Sequence, residues 1–266
     1  MSICCARKAS NGGITTDFKC QQNANKIFVS LVKYLLITKL ELGDLSGMRK
    51  IIAITQVSLD GVMQAPGGPE EDPRNGFAHG GWAMSYGDEV FGKIIGEIVA
   101  SDFDMLLGRR TYEIFSSYWP YKNDNPIGKS FNMAKKYVVT RTLNQLDWNN
   151  SQRIGDDVVS ELRKLKASEG PPFHIWGSSD LLQTLIAAEL VDEYRMWIVP
   201  VVLGKGKRLF ENGVPARGLT LVESRCTTTG VFMNTYHPAG PVPLEAPEPD
   251  EPSKAEVARR KKLASE

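Results

Sequence analysis

With four cysteines and three histidines in 266 residues, this chain has little with which to hold a metal or a disulfide framework. Cys4, Cys5, Cys20 and Cys226 form no C-x-x-C pair and match no zinc-ligand spacing. His79, His174 and His237 stand far apart and make no H-x-x-x-H. These absences predict no protein-bound metal, and a thiol usage that suits the reducing cytoplasm. Charge of neither sign is in excess, since 32 Lys and Arg against 31 Asp and Glu leave a formal charge of +1. Such balance gives no global pull toward nucleic acid or an anionic membrane, so any cationic site must be local. Long apolar runs are missing too. The longest candidate, from Ile27 to Leu40, is broken by Lys33 and Lys39 and is too short to span a bilayer. It also sits late, with no small-residue cleavage pattern after it, which argues against a signal peptide.

What is present is enough apolar material for a full core: 42% of residues are hydrophobic, which fits one domain with appendages. Residues 1–47 read as a peripheral N-terminal extension and residues 48–240 as the folded unit. Residues 241–266, Pro- and Glu-rich and then basic, read as a largely disordered tail with transient helix at its end.

The folded unit is organised around Asp104 to Phe115, where the apolar run Met105-Leu106-Leu107 stops at Gly108-Arg109-Arg110-Thr111 and a helical pattern begins. This predicts a buried strand, a turn and a helix start, the place where free backbone N–H groups can meet an anion. Taken alone, the same residues equally fit a strand broken by glycine with two solvated arginines. Two later strand ends repeat the logic. Lys136 to Val139 leads to Thr140-Arg141-Thr142, and Phe173 to Trp176 leads to Gly177-Ser178-Ser179 and a helix from Asp180. All three turns fall at carboxyl ends of strands in a chain that alternates strand and helix, which is where α/β sheets bind ligands.

Around these turns lie residues with two readings each. Asp60, in Ser58-Leu59-Asp60-Gly61 after the first strand, is either a turn acid bonded to nearby backbone or a carboxylate facing substrate. Asp88 opens a helix carrying Val90, Phe91, Ile94, Ile95 and Ile98, and there an acid either caps the helix or contacts substrate. Trp82, Met84 and Tyr86, after the long loop Gln64 to Gly81, either line a pocket for a planar ligand or wedge the loop onto the core. The loop Gly204-Lys205-Gly206-Lys207 either touches anions or is solvated. Leu219 to Ser224 and Gly230 to Tyr236 alternate as a final antiparallel pair.

In order along the chain, Ser58-Leu59-Asp60-Gly61, Leu107 to Tyr112, Lys136 to Arg141, Gly177 to Leu181, Leu190 to Glu193 and Pro200 to Gly206 resemble the dihydrofolate reductase-like superfamily. The resemblance is specifically to the reductase domain of the riboflavin-pathway bifunctional deaminase-reductase and its stand-alone bacterial relatives, over roughly Met48 to Gly240. It implies an α/β three-layer fold: a central mixed, mostly parallel sheet with helices on both faces and an antiparallel C-terminal edge. It also implies an NADPH-dependent reductase, a small-molecule substrate and a homodimer formed through the late strands. Carried over by the resemblance, Gly108, Arg109, Arg110 and Thr111 hold cofactor phosphates, and Thr140, Arg141 and Thr142 lie by the adenosine phosphate. Gly177, Ser178, Ser179 and Asp180 support the pyrophosphate.

A cluster of arginines fits a 2′-phosphate better than the bare ribose hydroxyl of NADH, for which a carboxylate is expected. The reaction implied is hydride transfer to a C=N or C=O of a pterin-like or pyrimidine-ribosyl substrate. Asp60 and Asp88 are then the carboxylates to orient or protonate it, and Trp82 and Trp176 the rings beside it. The chain departs from the riboflavin reductases at the later turn, where Trp176 stands in place of a glutamate and Ser178 in place of a glycine. The deaminase patterns H-x-E and P-C-x-x-C are absent. A non-catalytic nucleotide-binding or dimer-forming protein is the competing expectation.

Overall fold

Strand β1 (Ile51–Ser58) is apolar on both faces because both faces are covered. Ile51, Ala53 and Val57 pack into one cluster with Leu162, Leu181 and Leu185, while Ile52 and Ile54 pack into another with Ile94, Ile98 and Trp197. Such two-sided burial is the mark of a central parallel strand. The computed structural model describes residues 48–211, 214–244 and 251–266. The expectations for residues 1–47 and for 245–250 lie outside the described residues.

After β1 come α1 (Glu89–Ala100), β2 (Asp104–Gly108), α2 (Arg109–Ser116), α3 (Pro126–Met133), β3 (Lys136–Val139), β4 (Ser151–Ile154) and α4 (Val158–Lys166). They are followed by β5 (Phe173–Trp176), α5 (Ser179–Ala187), β6 (Glu193–Val199), β7 (Leu219–Cys226), β8 (Phe232–Pro238) and α6 (Lys254–Leu263). Among the described residues eight strands form one sheet in the order β4-β3-β2-β5-β1-β6-β8-β7. Every pairing from β4 to β6 is parallel, and β8 pairs antiparallel with both β6 and β7. Helices α4 and α5 cover one face; α1, α2 and α3 cover the other. The α/β class, the mostly parallel sheet and the antiparallel edge are as the sequence predicts.

Two elements were not expected. The polar stretch before β3 contains helix α3, started by Asn125, whose side chain accepts from the N–H of Ile127 at 2.8 Å, with Pro126 at its first position. Asn-Pro reads as a turn, yet it is equally a helix start, since proline has no N–H to leave unsatisfied there. Strand β4, Ser-Gln-Arg-Ile, has no apolar alternation to betray it because it is an edge strand with Gln152 and Arg153 exposed. At the C-terminus, α6 is an exposed helix capped by Ser253, with Glu256 bridging Arg259 and Arg260.

Lys136, at the start of β3, is fully buried. Its Nζ donates to the carbonyl of Asn132 at 3.0 Å and lies 4.3 Å from the Trp148 ring. Burial pushes its ammonium down from 10.5 to about 8. An unfolded chain keeps that proton longer, so between about pH 8 and 10.5 the unfolded state binds more protons, and stability rises with pH through that window. Lys136→Met should therefore raise the Tm at pH 7 and flatten the alkaline rise, as read by calorimetry at pH 7 and pH 10. A parallel pH dependence in both proteins would show that the Trp148 ring and the Asn132 carbonyl already offset the burial.

Candidate active site

The carboxyl ends of β1, β2, β3 and β5 open into a cavity of about 790 Å3. The volume falls within the usual range for a small-molecule or cofactor site, roughly 300 to 1,000 Å3. Two of the predicted turns are joined directly there. Gly108 ends β2 and precedes α2, and its N–H donates to Ser178 Oγ at 3.0 Å; Ser178 Oγ in turn donates to Thr111 Oγ1 at 2.9 Å. One serine hydroxyl thus locks the N-termini of α2 and α5 side by side. The lock is set by backbone geometry, because Gly177 (φ 72°) and Ser178 (φ 63°, ψ 56°) are both left-handed. Glycine enters that region freely; serine does so at a strain of order 1 kcal/mol or more. The Ser178 hydroxyl bonds offset that strain. Gly108 itself has an ordinary extended backbone (φ −71°, ψ 156°), so packing is what matters at this glycine: an added Cβ would touch Ser178 at 3.5 Å.

The third turn lies farther along the sheet edge. Thr140 Oγ1 accepts the N–H groups of Thr142 and Leu143 at 3.2 and 3.0 Å, so its hydroxyl shapes the turn. Arg141 and Thr142 remain on the cavity wall. The cations at the mouth hold surface carboxylates. Arg109 reaches both oxygens of Glu113 at 2.9 Å, while Asp180, 69% exposed in its side chain, bridges Arg110 at 3.0 Å and Lys207 at 3.1 Å. Exposed pairs of this kind contribute only about 0 to 1 kcal/mol, so a phosphate can take these cations over at little cost.

Asp60 and Asp88 are placed elsewhere, and neither lines the cavity. Asp60 accepts from Ser58 Oγ at 2.6 Å and from the N–H groups of Leu203 and Gly204 at 3.0 and 2.9 Å, and it meets Arg208. The Ser58 hydroxyl and those amides hold its carboxyl down at about 2. Asp88 caps α1 through the N–H of Phe91 and takes both the hydroxyl and the N–H of Thr228 at 2.7 Å. The Thr228 hydroxyl foremost, then the helix amide, lowers its pKa. Both are firmly ionised near neutral pH and pin loops. Trp82 also stands off the cavity, donating Nε1–H to the carbonyl of Gln64 at 2.8 Å and packing beside Val62 and Ala65.

Trp176 does line the cavity, and it does not stand alone. Ile54 is its register partner on β1; Gln56, two residues on, is in register with Trp197 on β6. Trp176 and Trp197 have ring centroids 5.9 Å apart, and Phe131 connects Trp176 to Phe115 and Trp119 at 5.0 to 5.7 Å. Ile54, Gln56, Phe115, Trp119, Trp176 and Trp197 all line the cavity. The indole N–H of Trp176 is buried without a hydrogen-bond partner. Trp176 is expected from the resemblance; the rest of this aromatic wall is not legible in the sequence, because its members come from separate segments. The signal available was Trp197, a large ring in the strand next to β1.

Lys207 was legible only as part of a basic loop. Met63 donates to its carbonyl at 2.8 Å and its N–H donates to Gln64 Oε1 at 3.1 Å, so pairing with the segment after β1 carries it to the cavity. Glu71, also on the wall, closes the loop below it by accepting from Gly67 and Gly68; burial raises its pKa.

A model of the RibD C-terminal domain family matches residues 49–233. The chain belongs to that family. It is 32% identical over 194 residues, 71% of this chain and 95% of the relative, to "Uncharacterized protein YyaP" of Bacillus subtilis strain 168. Among solved structures it resembles a candidate riboflavin biosynthesis protein from Shewanella sp. PV-4, at TM-score 0.51 and 20% identity over 72% of this chain and 99% of that one. It also resembles dihydrofolate reductase from Enterococcus faecalis, at TM-score 0.46 and 18% identity over 71% of this chain and 96% of that one. The RibD C-terminal domain has a reductase-type fold. Among the described residues no helix is long and apolar enough to cross a membrane, and no group of three or more His, Cys, Asp or Glu is placed to hold a metal ion.

Proposed function

We propose that this RibD C-terminal domain is an NADPH-dependent reductase that delivers a hydride to a polarised C=N or C=O of a small heterocyclic substrate. The observation that carries the reading is the Ser178 lock, which sets two helix N-termini side by side beneath Arg109, Arg110 and Lys207. Two adjacent helix N-termini present unpaired N–H groups to one anion, and a pyrophosphate offers the matching charge. Gly108, Thr111, Gly177, Ser178 and Ser179 would hold the pyrophosphate. Arg109, Arg110 and, farther along, Thr140, Arg141 and Thr142 would hold the adenosine end with its 2′-phosphate. Asp180 releases Arg110 and Lys207 as the phosphates arrive.

NADPH, when bound, supplies the hydride from its nicotinamide ring. The chain supplies placement: Ile54, Trp176 and Trp197 exclude water from the far end of the cavity, and the Gln56 amide orients what lies there. Isothermal titration with NADPH and NADH tests the reading. Expected is a binding isotherm for NADPH, at least about tenfold tighter than for NADH, which is about 1.4 kcal/mol of preference. No binding of either would overturn it. NADPH binding without oxidation by any pterin or pyrimidine would favour the non-catalytic nucleotide-binding protein instead.

The same reading includes a homodimer. Strand β7 ends the sheet, is exposed at every residue and leaves Leu219, Leu221 and Val222 bare. An open apolar edge strand invites pairing, and a second copy of the chain offers the matching edge. Light scattering should report two chains per particle, and Val222→Asp should reduce this to one. A wild-type particle of one chain at micromolar concentration would overturn the assignment.

A further inference from the structure

Asp72, Glu113 and Asp180 each hold cations around the cavity mouth, and Asp180 differs from the other two. Asp72 pairs with Arg74 two residues on, and Glu113 with Arg109 one helical turn back. Such local pairs are what exposed turns and helices commonly make. Asp180 instead gathers cations from distant segments. Its Oδ2 meets Arg110, 70 residues away, at 3.0 Å, and its Oδ1 meets Lys207, 27 residues away, at 3.1 Å. Among the described residues it is the one carboxylate on the cavity wall that holds two cations. Its charge also reaches Arg74 on the same wall, whose charged form is favoured first by Asp72 and then, more distantly, by Asp180. Asp180 lies in the first turn of α5, beside the end that carries the free N–H groups. A carboxylate in that position, drawing cations out of separate loops, does what a bound anion would do.

We infer that Asp180 is a built-in competitor: in the free protein its carboxylate occupies the seat of a ligand phosphate, and it filters ligands by charge, admitting a multiply charged phosphoanion and excluding a carboxylate. The inference rests on the reductase reading and deepens it. A tethered carboxylate acts at a high effective concentration. A free carboxylate that took its place would exchange like for like, with nothing to offset its lost freedom. A phosphate group brings about two charges and three acceptor oxygens, so it can hold Arg110 and Lys207 together and accept helix N–H groups besides. The exchange needs no change in the fold, because the Asp180 side chain is 69% exposed and can swing into water.

The opposite role, a strut that positions the cations, is already filled by other groups. The segment around Lys207 is fixed by the N–H of Met63 on the Lys207 carbonyl, by the Lys207 N–H on Gln64 Oε1, and by Gln183 Nε2 on the carbonyls of Arg208 and Leu209. Arg110 is carried by α2, which the Ser178 hydroxyl holds beside α5. Both cations therefore stay near the seat when the carboxylate leaves it.

The test is calorimetric titration of the full-length chain with inorganic pyrophosphate and with NADPH. Asp180→Asn, which keeps the shape and removes the charge, should bind both at least about threefold tighter than the wild type, since two competing exposed pairs are lost. Acetate at matched ionic strength should displace pyrophosphate measurably only in that variant, where the seat is open to a carboxylate. Glu97→Gln is the control for net charge, because Glu97 pairs with Arg225 away from the cavity. It should leave both affinities within about twofold, as charges beyond a Debye length are screened.

Weaker or unchanged binding of both probes by Asp180→Asn would overturn the inference, and so would equal tightening in Glu97→Gln or equal displacement by acetate in wild type and variant. If NADPH bound the wild type with its preference over NADH and Asp180→Asn gave no gain, the competitor would fall while the reductase reading stood. If pyrophosphate showed the expected gain and NADPH bound neither protein, the phosphate seat would stand and the reductase reading would fall. Binding of neither probe to either protein would remove both.

Discussion

Replacing Arg109 and Arg110 together by alanine should weaken NADPH by about two orders of magnitude and NADH by less than about threefold. A charge-assisted contact to phosphate contributes about 1.5 to 3 kcal/mol, and each 1.4 kcal/mol is a factor of about ten. Two such contacts from adjacent residues share one ligand, so their effects fall short of a simple sum. The carboxylates that hold these arginines in the free chain do not change the sign. Arg109 with Glu113 and Arg110 with Asp180 are exposed pairs, each partner at least 38% exposed in its side chain, and such pairs contribute at most about 1 kcal/mol. Both side chains are also away from the core, so folding should be unaffected and far-UV circular dichroism unchanged. Titration of the double variant with both nucleotides decides the matter. Equal losses for NADPH and NADH would remove the 2′-phosphate from Arg109 and Arg110 and leave them, at most, on the pyrophosphate that the two nucleotides share.

The parts of this molecule that sequence made legible are those where one local pattern has one physical meaning. Ile51 to Val57 is β-branched and apolar on both faces, which only a covered central strand permits, and the register with β5 and β6 is the result. Strand, glycine and helix at Gly108 and again at Gly177 likewise read directly. What connects them did not, because the Ser178 hydroxyl that joins the two turns spans 70 residues of sequence to Gly108. Asp60 shows the opposite difficulty. Ser-Leu-Asp-Gly marks a turn acid, but the partners that give Asp60 its work, Leu203, Gly204 and Arg208, lie more than 140 residues later. A carboxylate in a resembling motif was therefore open to a chemical reading, while its place in the fold is to hold the loop that carries Lys207. The aromatic wall was least legible: Gln56 and Trp197 meet only once β1 and β6 are paired.

Arg49→Ala should be strongly destabilising, and the reason lies at the end of the sheet opposite the cavity. Arg49 has a side chain only 3% exposed. Its guanidinium pairs with Asp104, donates to the carbonyl of Pro171 at 2.7 Å and lies 3.6 Å from the Phe173 ring centre. Gly170 (φ +145°) passes so close that an added Cβ would sit 3.0 Å from Arg49 Cζ. Alanine would leave the Asp104 carboxylate, in a residue 9% exposed, with no cation beside it. Breaking a buried pair on one side costs about 3 to 5 kcal/mol, whereas replacing both partners by apolar residues is often near neutral. For a domain of this size each kcal/mol moves Tm by about 2 to 4 °C, so a fall of about 6 to 20 °C is expected, largely recovered in Arg49→Leu with Asp104→Leu. If the double replacement proved as unstable as Arg49→Ala, the loss would come from packing on Phe173 and not from the stranded charge. Strand β2 links this pair to the cavity, since Asp104 opens it and Gly108 closes it, about 13 Å apart at 3.3 Å per residue. A folded strand is stiff over that distance. Well below its lowered Tm, Arg49→Ala should thus bind NADPH with wild-type affinity, and an affinity that fell along with Tm would show that the phosphate turns depend on the whole length of β2.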